Sequence, residues 1–81
     1  MEEWVYEFEG NSVLVRNAKV VELIINGETQ DSVKGIRLKA ELNGTLPSGQ
    51  VVKAALGGFA EVKCTLSVDG AVIAPVKTPI R

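Results

Sequence analysis

Ile36-Arg37-Leu38-Lys39-Ala40-Glu41-Leu42-Asn43 is the stretch whose pattern decides the fold. Ile36, Leu38, Ala40 and Leu42 fall on one side, and Arg37, Lys39, Glu41 and Asn43 on the other. A strand turns successive side chains to opposite faces and sorts this set completely, whereas a helix scatters it around its circumference. Residues 60–69 repeat the pattern, with Val62, Cys64, Leu66 and Val68 against Glu61, Lys63, Thr65, Ser67 and Asp69. Strands with one apolar face each need a second layer to pack against.

Working outward, the period stays near two. In residues 4–9, Trp4, Tyr6 and Phe8 share a face opposite Val5, Glu7 and Glu9. Gly10-Asn11 is a turn signal, and residues 12–17 return with Val13 and Val15 alternating against Leu14 and Arg16. Residues 19–26 carry apolar side chains on both faces, Val21, Leu23 and Ile25 against Val20 and Ile24, which predicts a central or doubly covered strand. Asn26-Gly27 and Asp69-Gly70 are strong hairpin turns, since both positions of each tolerate positive φ. A short return strand is predicted over 28–30, and residues 31–34 are polar apart from Val33. Residues 44–49, Gly-Thr-Leu-Pro-Ser-Gly, form a loop by composition. Residues 50–56 suit a strand by alternation, although two Ala and a Leu also suit a turn or two of helix; Gly57-Gly58 ends the segment early, and it is read as strand. A brief strand over 71–74 stops at Pro75, and Pro79 leaves the tail unpaired or on an edge. Residues 21–27 echo residues 64–70: Val21, Leu23, Ile25, Asn26-Gly27 against Cys64, Leu66, Val68, Asp69-Gly70. Two similar hairpins in two sheets account for the echo, and so do two independent strand-turn units.

Composition agrees. Twelve Val and five Ile outnumber two Phe, one Trp and one Tyr, and β-branched residues suit pleated sheets. The 81 residues make one domain, and a chain this short needs an efficient core or a partner that extends it. The fold expected is all-β: a small antiparallel β-sandwich or partly open barrel of roughly seven to eight strands.

The same residues bound the function. With no His, Ser-His and Cys-His pairs are excluded. One Cys forbids an internal disulfide and, without His, rules out a Cys/His zinc site. Cys64 sits mid-strand on an inward face, where a small buried hydrophobe is the simpler account than a reactive thiol. Glu7 and Glu9 share a face but do not converge with other ligands, and Gly57-Gly58 lacks the Lys and Ser/Thr of a phosphate loop. No catalytic, cofactor or metal residue is assigned, and an enzyme is not expected. A formal net charge of -1 argues against a nucleic-acid footprint, and no apolar run reaches membrane length. The acidic start Glu2-Glu3 and a free thiol make the cytoplasm the expected address, and the starting Met favours a complete chain.

Charge is unevenly divided. Residues 1–31 carry seven acids and two bases, and residues 32–81 three acids and seven bases. One account is docking on a protein partner or on a second copy, as a homodimer. The other is complementary strands inside one sheet, with Arg37 and Lys39 opposite Glu7 and Glu9. Trp4, Tyr6 and Phe8 read first as core and otherwise as a strand-strand interface. The candidate interface residues are therefore Trp4, Tyr6, Phe8, Arg37 and Lys39. The alternative is a small-ligand pocket between the sheets or at their open end, near Leu46-Pro47-Ser48 and Gly57-Gly58-Phe59.

The series Ile25-Asn26-Gly27-Glu28-Thr29-Gln30-Asp31, Leu38-Lys39-Ala40-Glu41-Leu42-Asn43-Gly44, Leu56-Gly57-Gly58, Val62-Lys63-Cys64 and Val68-Asp69-Gly70 resembles a family of small uncharacterised all-β bacterial proteins, mainly of Firmicutes. With the opening hairpin, the resemblance covers most of the chain. It implies a fold and carries no activity or site residue. More distantly, the repeated strand-then-Asp/Asn-Gly units are similar to the β-sandwich of Fas apoptotic inhibitory molecule, which bears on fold class alone.

Overall fold

The computed structural model describes residues 2–34, 39–58 and 62–80, the last four of these through their backbone only. The described residues form strands β1 (Glu2–Phe8), β2 (Asn11–Asn17), β3 (Val20–Ile25), β4 (Glu28–Lys34), β5 (Ala40–Thr45), β6 (Val51–Gly57), β7 (Lys63–Val68), β8 (Ala71–Ile73) and β9 (Lys77–Ile80). No helix occurs among the described residues. The first eight are two successive four-stranded meanders, each strand pairing antiparallel with the next. β9 adds a fifth strand to the first sheet beside β1, giving the order β4-β3-β2-β1-β9 against β5-β6-β7-β8. The sheets pack face to face as a sandwich and do not close into a barrel, which is the all-β architecture expected, with the tail on an edge.

The core is the set of inward positions that alternation selects. Trp4, Tyr6, Val13, Val15, Val21, Leu23 and Ile25 from one sheet meet Leu42, Val52, Ala54, Leu56, Leu66 and Val68 from the other. β3 is central in its sheet, as its two apolar faces predict. On its outer face Ile24 pairs with Leu14, and Leu14 with Val5, so three half-buried side chains shelter one another in a row.

Three hairpins turn on two residues that both have positive φ: Glu9-Gly10 (48° and 79°), Asn26-Gly27 (51° and 84°) and Asp69-Gly70 (50° and 85°). This is the geometry whose twist matches the flanking strands. The first turn is thus centred one residue earlier than Gly10-Asn11, and Asn11 opens β2 with its side-chain N–H donated back to Phe8 O at 3.1 Å.

Other boundaries also move. β4 runs on through the polar residues 31–34, because an edge strand takes its hydrogen bonds from β3 and needs little apolar side chain. Gly44 and Thr45 belong to β5, not to the loop. The segment read as strand over 50–56 is strand over Val51–Gly57, one residue later at each end, since Val52, Ala54 and Leu56 all reach the core. Residues 36–38 and 59–61, part of the two best-sorted stretches, lie outside the described residues, so β5 and β7 are described from Ala40 and Lys63.

Candidate functional site

Two of the aromatic candidates are interior. Trp4 is 3% exposed and Tyr6 is 0% exposed, and Phe8 packs half-buried against the same core. A side chain enclosed by the opposite sheet has no surface to offer a partner, so the core account of this stripe applies and Trp4 and Tyr6 leave the list of contact residues. Tyr6 serves the sandwich instead. Its hydroxyl donates across the interface to Cys64 O at 3.3 Å. Burial drives its pKa far above the ordinary phenol value, and the Cys64 contact adds to that. Burial likewise pushes the Cys64 thiol up, the nearby Tyr6 hydroxyl opposing only in part. A thiol kept protonated is a poor nucleophile. Among the described residues, no group of three or more Cys, Asp and Glu is placed to hold a metal ion.

Arg37 lies outside the described residues. Lys39 is exposed at the head of β5, in the other sheet from β1. The expected pairing of Lys39 with Glu7 or Glu9 is not made, because Glu7 sits opposite Ser12 and at the other end of the sandwich. Two ion pairs among the described residues are internal to the first sheet. Arg16 Nε donates to Glu3 Oε2 at 2.7 Å, and Arg16 Nη1 lies 3.6 Å from Glu22 Oε1. These are cross-strand neighbours on the outer face, in register Glu3–Arg16–Glu22. The hydrogen bond to Glu3, foremost, holds the guanidinium pKa above its ordinary value.

The register also sorts charge along the strands. The turns 9–10, 26–27 and 69–70 and the loop 46–50 gather at one end: Asn26 contacts Ser12, Asp69 contacts Val51, and one cleft is lined by Asn26 and Glu28 together with Leu46 and Pro47. That end carries Glu7, Glu9, Glu28 and Asp69, and no Lys or Arg occurs in its four connections. The opposite end carries Lys19, Lys34, Lys39 and Lys63 with Glu2 beside them, and a little further in Arg16 is paired with Glu3 and Glu22. The uneven division along the chain is therefore a polarity along the strand direction, not one acidic sheet against one basic sheet.

The proposed pocket loops do not meet. Leu46-Pro47-Ser48 follows Thr45, opposite Val51, whereas Gly57-Gly58 lies beyond Leu56, opposite Ala40. They sit at opposite ends of β5 and β6, roughly 17–20 Å apart by strand rise. Each has only its own surroundings. A cleft of about 280 Å³ is lined by Ile25, Asn26, Glu28, Gln30, Thr45, Leu46 and Pro47. A second concavity of about 380 Å³ follows the turn from Glu7 to Ser12.

Sequence reasoning missed the sheet margins. A bulge in β4 puts Asp31 opposite Leu23 and Thr29 opposite Ile24, leaving Gln30 as the extra residue. Asp31 then reaches the margin of β5: its Oδ2 accepts the Asn43 N–H at 2.9 Å, while Oδ1 accepts Ser32 N–H at 2.9 Å. Gly44 makes the close approach possible, since a Cβ there would meet Gln30, Ile25 and Leu23 side-chain atoms at 3.1 Å each. Across the molecule, β8 has no such cover among the described residues, and Val72 on it is 69% exposed. The signal was present in the sequence as Ala71-Val72-Ile73-Ala74-Pro75-Val76, six residues without a charge or a polar side chain.

The fold and its surfaces define a small antiparallel β-sandwich with charged ends and an uncharged edge strand at β8. Compared with protein families, with curated proteins and with solved structures, the chain has no match in any of the three. No helix among the described residues is long and apolar enough to cross a membrane.

Proposed function

We propose that this chain is a non-enzymatic protein-interaction domain, able to associate with itself or with a protein partner. The observation that supports it is the charge polarity: four carboxylates at the turn end and four ammonium groups at the other. Like charges gathered at one end repel and cost stability unless they serve solubility or a partner. A complementary surface recovers that cost and steers the encounter, over a range set by a screening length of about 8 Å at physiological salt. In this reading the domain uses no cofactor, meets neither nucleic acid nor membrane, and works in the cytoplasm, an address that the free Cys64 thiol supports. The likeness to small Firmicutes proteins remains part of the proposal for the fold and lends no activity.

The test is an affinity pull-down in which tagged protein is mixed with lysate and with an untagged copy distinguishable by mass. The expected result is recovery of the copy or of one dominant protein at low salt, with release as salt rises. Recovery of the bait alone at low salt overturns the proposal.

A second reading is a small-ligand site in the cleft beside Leu46 and Pro47, favoured by the convergence of Asn26, Glu28, Gln30 and Thr45 on it. Its volume lies just below the usual range for ligand pockets. A thermal-shift screen tests it: a bound ligand raises the melting temperature, and a flat response across a broad metabolite panel removes the reading.

A further inference from the structure

Each meander has two outer strands, and three of these four margins are closed. β1 is paired by β9. β4 and β5 lie against one another, bridged by Asp31 at Asn43 and packed at Gly44. Of the four, β8 has β7 on one side and, among the described residues, no strand on the other. β9, the outer strand of the larger sheet, pairs irregularly with β1 and includes Lys77 and Pro79, both features that discourage further pairing.

The turn at Asp69-Gly70 fixes what β8 offers. In a two-residue hairpin the flanking residues, here Val68 and Ala71, exchange hydrogen bonds. The next opposed pair, Ser67 and Val72, does not, so the N–H and C=O of Val72 point away from β7. Those groups lie on the bare margin, beside a valine side chain that is 69% exposed. Ala71 and Ala74 are exposed too, and Val76 is 55% exposed just beyond. Residues 70–76 contain no charged side chain.

We propose that β8 is a self-pairing edge: a second copy of this chain docks there antiparallel, about a two-fold axis at Val72. The proposal rests on the interaction-domain reading, names its partner and places the contact at an uncharged edge, not at the charged ends. In this register Val72 exchanges two backbone hydrogen bonds with its symmetry mate, and Gly70 lies opposite Ala74 of the other copy. The two four-stranded sheets become one eight-stranded sheet. A second copy fits because the register opposes no like charges: Asp69, the nearest charge, falls opposite Pro75. The same symmetric pairing along β4 would force Asp31 and the bulge into the contact. The run is short, bounded by the turn and by Pro75, so the contact is small and the dimer is of the weak, concentration-dependent class.

The experiment is sedimentation equilibrium of the full chain from low micromolar to near-millimolar protein. The mass is expected to rise toward twice the monomer value. Val72→Lys is expected to abolish the rise with the circular dichroism spectrum retained. Val51→Lys, at a valine 44% exposed but inside the sheet, is expected to keep it. A monomer throughout, or a dimer that survives Val72→Lys, overturns the proposal. Dilution of the wild type followed by amide NMR guards against a variant that fails to fold: shifts centred on residues 70–74 support the proposal, and shifts elsewhere or none overturn it. A monomer that still retains a salt-sensitive partner in the pull-down, or that takes up an extended peptide at β8, overturns the self-pairing and leaves the interaction-domain reading standing.

Discussion

In both four-stranded halves, the first turn residue between the third and fourth strands grips the start of the second strand. Asn26 donates its N–H to Ser12 O at 2.8 Å and accepts Ser12 N–H on Oδ1 at 2.9 Å. Asp69 donates to Val51 O at 2.8 Å and accepts Val51 N–H on Oδ1 at 2.9 Å. Both residues have φ near +50°. The echo between residues 21–27 and 64–70 is thus carried into geometry: two meanders with the same lock. They part company beyond the turn. After Asn26-Gly27 the fourth strand carries a bulge and Asp31, which seal it against β5. After Asp69-Gly70 it carries Ala71-Val72-Ile73 and no seal. The shared lock concerns folding, and the unshared margin is where a partner has room.

The largest test of the comparison asks whether the halves stand alone. Leu23 and Leu66 are both fully buried, one in each meander, in a single core. Leu23→Ala and Leu66→Ala are each expected to cost ~2–5 kcal/mol. Urea unfolding followed by Trp4 fluorescence in one sheet and by Cys64 labelling in the other is expected to give coincident transitions in both variants. Separate midpoints would break the picture of one shared core.

Smaller is the effect of removing each lock. Asn26→Ala and Asp69→Ala both lose a hydrogen bond and place alanine at positive φ, at an expected cost of ~1–2 kcal/mol each. Costs that differ by more than that range, measured by denaturant titration, would mean that the likeness of the turns is superficial.

A pH ramp sharpens the contact between the halves. The Tyr6 and Cys64 pKa values are raised above ordinary values of 10.0 and 9.0. For a raised group the unfolded chain loses its proton first, so the stabilisation is complete below the ordinary value and is lost as pH rises beyond it. Stability against thermal unfolding is therefore expected to fall from near pH 9 upward. Tyr6→Phe is expected to flatten much of that loss and to cost ~1 kcal/mol at neutral pH, from the missing bond to Cys64 O. An unchanged alkaline slope in Tyr6→Phe would contradict the assignment.

The smallest effect is at the turn that lacks the lock. Glu9 has φ +48°, a conformation that Asn adopts more readily. Glu9→Asn is expected to stabilise by roughly 0.5–1 kcal/mol, read as a rise in melting temperature. A fall would show that the Glu9 side chain has a role in the turn.

Much of this architecture is legible in the sequence. Alternation alone separates Val13 and Val15 from Leu14 and Arg16, and Val52, Ala54 and Leu56 from Val51 and Lys53. Asn-Gly and Asp-Gly mark two of the three two-residue turns, while Glu9-Gly10 is hidden because Glu is not a turn-former by type. The margins are not legible in the same way. That Asp31 caps β5, and that β8 is left bare, depends on which strands end up outermost and on a one-residue bulge, neither of which side-chain period encodes. The aromatic stripe shows the same limit: its periodicity gives the strand, and only the second sheet decides that Trp4 and Tyr6 are enclosed.

The most direct test of the unequal margins is amide hydrogen exchange on the wild-type chain at low and at high protein concentration. The expected result is slower exchange at Val72 on concentration, with no change at Thr29, which holds the same place after the first meander's turn. Unchanged exchange at Val72, or equal slowing at both residues, would contradict the account.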